Sequence, residues 1–224
     1  MSRTLMLAAA LAGVAAFGAF RIANTPSETA GIEAYYPGAA HAQDGALDPA
    51  DVVEMTLGDP DAPVTVVEYA SFTCPHCANF HAVNYEKLKA EYIDTGKVHF
   101  IYREVYFDLP GLWASMVARC GGDMRFFGIA DMIYERQKDW LGSGDRAEIE
   151  QELRKIGKLA GLGEDELASC MTDEAKARQL VAWYQQNAEK EGINSTPSFV
   201  IDGQLYSNMA WDEFSSVLDD KIGG

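Results

Sequence analysis

The sequence predicts an α/β protein with a strand–helix–strand half, a long helical insertion, and a closing β-hairpin and helix. Three observations carry this prediction. A nearly continuous apolar and β-branched run, Val64-Thr65-Val66-Val67-Glu68-Tyr69-Ala70, is followed by an amphipathic stretch and then by a second strand-like run, Lys97 to Val105. From Leu112 to Glu191, about eighty residues, there is no good strand signal. Strand character then returns at Ser198-Phe199-Val200-Ile201, turns at Asp202-Gly203, and continues through Gln204-Leu205-Tyr206. Strand, helix and strand at such spacing make a parallel pair with a right-handed crossover. An Asp-Gly pair between two such runs is a hairpin signal.

The chain has 224 residues, 48 % of them hydrophobic, enough for one large domain or a domain with a sizeable insertion. Formal net charge is −16. Residues 1–42 hold Arg3 and Arg21 against Glu28 and Glu33, so removing them leaves the same −16. Such an acidic surface argues against nucleic acid as a partner. Arg3 precedes a 17-residue apolar run, Thr4 to Phe20, the charged start and apolar core of a secretory signal. Ala40-His41-Ala42 fits the small-x-small cleavage pattern, so cleavage is expected before Gln43, after a Pro/Gly/Ser/Thr-containing linker. The alternative is a retained short N-terminal membrane anchor, at the lower limit of spanning length. Either way the remainder is exported, to a periplasmic location, where four cysteines would pair.

The elements follow in order. Val52 to Leu57 is a short strand candidate, and Gly58 to Pro63 is dense in turn formers. Val64 to Ala70 has the composition of a central strand covered on both faces. The helix after it reaches about Asp94, with Phe80, Val83, Leu88 and Tyr92 apolar and Gly96 as C-terminal cap. Helices are expected near 112–120, 123–139, 145–160, 164–171 and 173–190, from recurrences such as Ile149, Leu153, Ile156 and Leu159. Ala210 to Ile222 closes the chain as an amphipathic helix. The expected organisation is residues 1–42 as leader or anchor plus linker, 43–106 with 192–224 as the sheet domain, and 107–191 as an inserted helical domain.

Chemistry concentrates at Cys74-Pro75-His76-Cys77, directly after the central strand. Cys74 would sit at a helix N-terminus, where unpaired N–H groups and the helix dipole favour thiolate over thiol. A protonated His76 would add charge beside the same sulfur. Cys77, one turn on, can form a disulfide with Cys74, and stabilising the thiolate makes that disulfide a strong electron acceptor. Competing readings are weaker. Tetrahedral zinc needs four ligands, and only His76 or His81 lies nearby. Haem attachment needs His after the second Cys, where Ala78 stands. A purely structural bridge over so short a loop constrains the unfolded chain little.

Glu68 interrupts the central strand. A buried carboxylate is costly unless paired or protonated, so Glu68 is either an ion-paired structural acid or an acid that exchanges protons with Cys77. Cys120 and Cys170 have 49 residues between them and are expected to bridge the inserted helices, with two buried free thiols as the alternative. Such a bridge would contribute about 4 kcal/mol in the chain-entropy model. Thr196-Pro197 opens the returning strand. An ordinary trans proline would suit an edge there, whereas a cis bond would turn the preceding backbone outward, open to an extended peptide.

Together, the strand before Cys-Pro-His-Cys, the helical insertion and Thr196-Pro197-Ser198-Phe199-Val200-Ile201-Asp202-Gly203 resemble the DsbA-like family of exported thiol–disulfide oxidoreductases, over roughly residues 50–222. The resemblance implies a thioredoxin-like fold with a helical domain inserted. It implies Cys74 as the exposed attacking cysteine, Cys77 as the buried resolving one, and Pro197 as a cis-proline facing them. Glu68, six residues before Cys74, falls where the family keeps its buried acid, and Cys120–Cys170 looks like the extra bridge of a subset. A strongly oxidising active site is inherited from the family. Thr196 departs from the Val of the best-known oxidases; it is expected to soften the oxidising power and leaves oxidase against isomerase less settled. The resemblance further implies reduced, unfolded exported proteins as substrates, a membrane reoxidant of DsbB type, and no cofactor or metal. A monomer is expected, because residues 43–51 are too short for the dimerisation module of isomerases. Two alternatives stand beside the oxidase: a disulfide isomerase or reductase on the same fold, and a copper- or zinc-handling redox chaperone.

Overall fold

The computed structural model describes residues 48–224. The leader, its cleavage site, the linker and the anchor alternative lie outside the described residues. Within them a five-stranded sheet forms from β1 (Met55–Leu57), β2 (Val64–Ala70), β3 (Val98–Glu104), β4 (Ser198–Ile201) and β5 (Gln204–Ser207), in the order β1-β3-β2-β4-β5. β2 and β3 are parallel, pairing Val66 with Phe100 and Glu68 with Tyr102, while β4 runs antiparallel to β2 and sets Phe199 beside Glu68. β2 is therefore central, and all its residues but Thr65 are buried. Asp202 (φ 47°) and Gly203 (φ 80°) both take left-handed backbone, the geometry that a two-residue hairpin turn requires.

Helix α1 begins with Pro75–Phe80 and runs on to Ile93, widened by π turns at His81–Tyr85 and Lys89–Ile93. Periodicity alone predicts an unbroken α-helix there. The insertion comprises α2 (Leu109–Cys120), α3 (Asp123–Glu135), α4 (Gln137–Leu141), α5 (Arg146–Leu159), α6 (Glu164–Met171) and α7 (Glu174–Glu191), and α8 (Trp211–Gly223) closes the chain. The single helix expected over 123–139 breaks at Arg136, which leaves helical dihedrals (φ −102°, ψ 13°). The break lets the buried Gln137 side chain reach the loop before α1. The first strand is shorter than expected, because a 3₁₀ turn at Pro49–Asp51, capped by Asp48, takes up the Val52 N–H.

One apolar core passes from the sheet into the insertion without interruption: Val66, Phe100 and Ile201 meet Phe72, Tyr102 and Tyr134, and then Phe126, Ile149 and Leu153. A second cluster joins Val52, Leu112, Met116, Leu180 and Trp183. Glu104 at the end of β3 is buried, and Arg119 of α2 neutralises it through contacts of 2.6 and 2.7 Å. Such a pair is costly to break from one side, since the remaining charge stays buried. Cys120 and Cys170 are disulfide-bonded (S–S 2.09 Å), tying the end of α2 to α6. Among the described residues no helix is long and apolar enough to cross a membrane.

Candidate active site

The site forms where β2 ends and α1 begins. The Cys74 N–H donates to the Ser71 carbonyl at 3.0 Å, closing a turn, and the Cys74 carbonyl accepts the first helical bond from the Ala78 N–H at 3.2 Å. Cys74 is thus the N-cap, with extended dihedrals, and Pro75, which lacks an N–H, occupies the first turn where none is required. Gln137 donates both side-chain amide hydrogens, to the Phe72 carbonyl (2.8 Å) and the Cys74 carbonyl (2.9 Å). The inserted helices thereby hold the loop that carries the sulfur.

Neither Cys74 nor Cys77 is disulfide-bonded; Cys74 is partly exposed and Cys77 wholly buried. Their environments push them apart. A hydrogen bond from the Cys77 thiol, opposed by burial and supported by the Thr196 side chain and the backbone N–H groups of Cys77 and His76, lowers the Cys74 thiol to about 5. Burial, then the neighbouring sulfur and the Glu68 charge, push the Cys77 thiol far above its ordinary value. The His76 side chain is exposed, and the residue's backbone N–H is among the groups that lower the Cys74 thiol. The Thr196–Pro197 bond is cis, and the Thr196 carbonyl lies 3.5 Å from Cys74 Sγ. That carbonyl accepts from the thiol, and the Thr196 side chain favours the thiolate.

Glu68 is fully buried on β2. Its Oε2 stands 3.5 Å from Nε2 of His81, whose Nδ1 stands 3.8 Å from Oδ1 of Asp131 on α3. The His81 ring is stacked between Tyr134 (4.1 Å) and Tyr85 (4.5 Å). The sequence points to His81 only as a metal-ligand candidate, although its place four residues after Cys77 puts it on the same helix face. Gln137, Asp131 and Tyr134 carried no sequence signal, because only packing brings α3 and α4 to this loop. Among the described residues no group of three or more His, Cys, Asp or Glu converges to hold a metal ion.

Known proteins are similar in both sequence and shape. A family model described as "Thioredoxin" matches residues 50–220. A Rickettsia bellii protein named "Putative protein-disulfide oxidoreductase" is 35 % identical over 173 residues, 77 % of this chain and 66 % of its own length. Further Rickettsia relatives are covered over about 61 %, so the chain spans a little under two thirds of these proteins. Disulfide bond formation protein D of Bacillus subtilis is 27 % identical, with 76 % of this chain and 78 % of that protein covered. The crystal structure of Wolbachia pipientis alpha-DsbA1 is 30 % identical with a TM-score of 0.67, covering 76 % of this chain and 91 % of that one.

Proposed function

Because this chain belongs to the thioredoxin family whose model spans residues 50–220, we propose that it is a thiol–disulfide oxidoreductase that passes the Cys74–Cys77 disulfide to reduced proteins. The observation that carries the reading is the asymmetry of the two sulfurs: one half-exposed and lowered to about 5, one buried and raised. A substrate thiolate attacks Cys74 Sγ, the Cys74–Cys77 bond breaks, and Cys77 leaves with the electron pair and takes a proton. A second substrate thiolate attacks the substrate sulfur of the mixed disulfide and expels Cys74 as a stabilised thiolate. The substrate loses two electrons and gains a disulfide; this chain gains them as one thiolate and one thiol. A low pKa suits Cys74 as leaving group, and a high pKa keeps Cys77 protonated afterwards.

The extended backbone beside Thr196-Pro197 is the docking strip for the substrate main chain. Glu68 is the acid beside Cys77, and the Cys120–Cys170 bridge supports the helices. Residues 107–191 form the inserted domain and residues 43–106 with 192–224 the sheet domain. The proposed substrates are unfolded exported proteins, the proposed compartment is the periplasm, and the proposed reoxidant is a membrane protein of DsbB type. The proposed state is a monomer.

The test is the Cys74–Cys77 equilibrium against glutathione, together with oxidation of a reduced, unfolded substrate. The reading expects a readily reduced disulfide, net substrate oxidation, and mixed disulfides that accumulate in the Cys77→Ser variant. A disulfide as resistant to glutathione as a structural crosslink would overturn it. Shuffling of scrambled disulfides without net oxidation would favour the isomerase instead.

A further inference from the structure

Reduction of the Cys74–Cys77 disulfide creates an anion on a sulfur that water cannot reach, since Cys77 is 0 % exposed. A proton must therefore arrive through the protein. Glu68, also 0 % exposed, has no contact with solvent from which to recover a proton it gives away. Neither Glu68 oxygen and neither His81 nitrogen meets hydrogen-bond geometry with any side chain or backbone group, although all four are buried. Buried polar groups left this way call for an explanation. They lie in a row: Glu68 Oε2 to His81 Nε2 at 3.5 Å, then His81 Nδ1 to Asp131 Oδ1 at 3.8 Å. The Asp131 side chain is 39 % exposed and so meets water. His81 and Asp131 both line a cavity of about 600 Å³ between α1, α3 and α4, whose rim includes the exposed Asn79, Glu86 and Lys138.

We propose that His81 and Asp131 are the proton conduit between Glu68 and solvent, and that the cavity beside them is its mouth. The proposal rests on the thiol–disulfide reading above. When the disulfide is reduced, Glu68 gives its proton to the Cys77 thiolate and takes the Nε2 proton of His81, while Nδ1 accepts one from the Asp131 side. One proton enters, and the imidazole ends with its hydrogen on the other nitrogen. Reoxidation expels one proton, and the same steps run backward. The tautomer is restored in each redox cycle, so the ring never needs to flip, and stacking between Tyr85 and Tyr134 holds it in line. Both gaps exceed hydrogen-bond length by a few tenths of an ångström, so transfer needs a small closing motion or an intervening water.

The groups facing His81 are Glu68 from β2, Asp131 and Tyr134 from α3, Tyr102 from β3, and Tyr85 on its own helix. The three tyrosines have their pKa values raised, chiefly by burial, and remain neutral. The Glu68 and Asp131 carboxylates oppose the effect of burial and hold the His81 pKa above its ordinary value, so the imidazolium, which has no free nitrogen to accept a proton, gives way to the relaying neutral ring only as pH rises.

The experiment is the rate at which dithiothreitol reduces the full chain, followed from acid to alkaline pH in wild type, His81→Gln, Asp131→Asn and His81→Ala. The conduit predicts that His81→Gln slows this step about tenfold or more and flattens its pH profile, while the Cys74 alkylation midpoint stays put. Asp131→Asn slows it in the same sense, and it decides the matter if His81→Gln does not fold, since Asp131 is at the surface. Added imidazole, entering the cavity, restores the rate of His81→Ala in proportion to its concentration. Wild-type rates and profiles in His81→Gln and Asp131→Asn would overturn the proposal. So would a slowed His81→Ala that imidazole leaves slow, which would mark His81 as a packing ring. A wild-type disulfide that dithiothreitol hardly reduces would instead count against the oxidoreductase reading, before any variant is compared.

Discussion

Cys74 and Cys77 are the same amino acid one helical turn apart, yet the structure gives them opposite tendencies. Burial raises both thiols, but Cys74 has compensating donors and Cys77 has none of comparable weight. The Cys77 thiol, the Thr196 side chain and two backbone N–H groups all point at the Cys74 sulfur. Cys77 instead faces the Cys74 sulfur and the Glu68 carboxylate, and both penalise a second negative charge. Alkylation of the reduced protein by iodoacetamide should therefore follow a single ionisation with a midpoint near 5, at Cys74 only. A midpoint at the ordinary thiol value of about 8.5, or modification of Cys77 in the native fold, would contradict this asymmetry.

Among the α-helices of the described residues, α4 is the shortest and holds the site most directly. Its five residues follow the break at Arg136, and Gln137 at their start anchors the Phe72 and Cys74 carbonyls. α2 serves differently: Arg119 neutralises the end of β3, and one residue later Cys120 is bonded to α6. The contribution of that bond can be measured. Replacing Cys120 and Cys170 together by Ala should lower stability by about 4 kcal/mol in the chain-entropy model. For a protein of this size the melting temperature should fall by about 10 °C. Thiol exchange at Cys74 should be retained. A variant that melts like wild type would show that the unfolded chain gains little freedom from losing the bridge.

At the scale of the whole molecule, the low Cys74 pKa couples redox state to stability. A group whose folded pKa is depressed stabilises the fold fully above its unfolded pKa, and the benefit is lost as pH falls through the folded value. For Cys74 that window runs from 9.0 down to about 5. The raised Cys77 thiol stays neutral throughout it and contributes no slope there. The reduced form should therefore be more stable than the oxidised form at pH near 9, and the gap should narrow towards pH 5. Melting curves of both forms across this range test it, and a gap independent of pH would refute the linkage. The same proton count makes the reduction potential fall by about 30 mV per pH unit within the window, half the slope of a couple that takes up two protons.

Local pattern sufficed for much of this. The continuous apolar run of β2, the Asp202-Gly203 turn, the amphipathic repeats of the insertion and the Cys-Pro-His-Cys spacing each lie within a few residues of chain, where backbone preference and side-chain period act. Glu68 could be singled out because a carboxylate in a buried strand violates local expectation. The π turns of α1, the break at Arg136, the Gln137 anchor and the Glu68–His81–Asp131 row could not be read this way. The Gln137 anchor and the His81–Asp131 contact join segments fifty or more residues apart, pressed into one core, where the side chain that fits is set by its partners. The sequence by itself determined which sulfurs stand together and what strand precedes them. Only the tertiary structure decided which groups surround those sulfurs, because hydrogen bonding and burial depend on distance in space rather than along the chain.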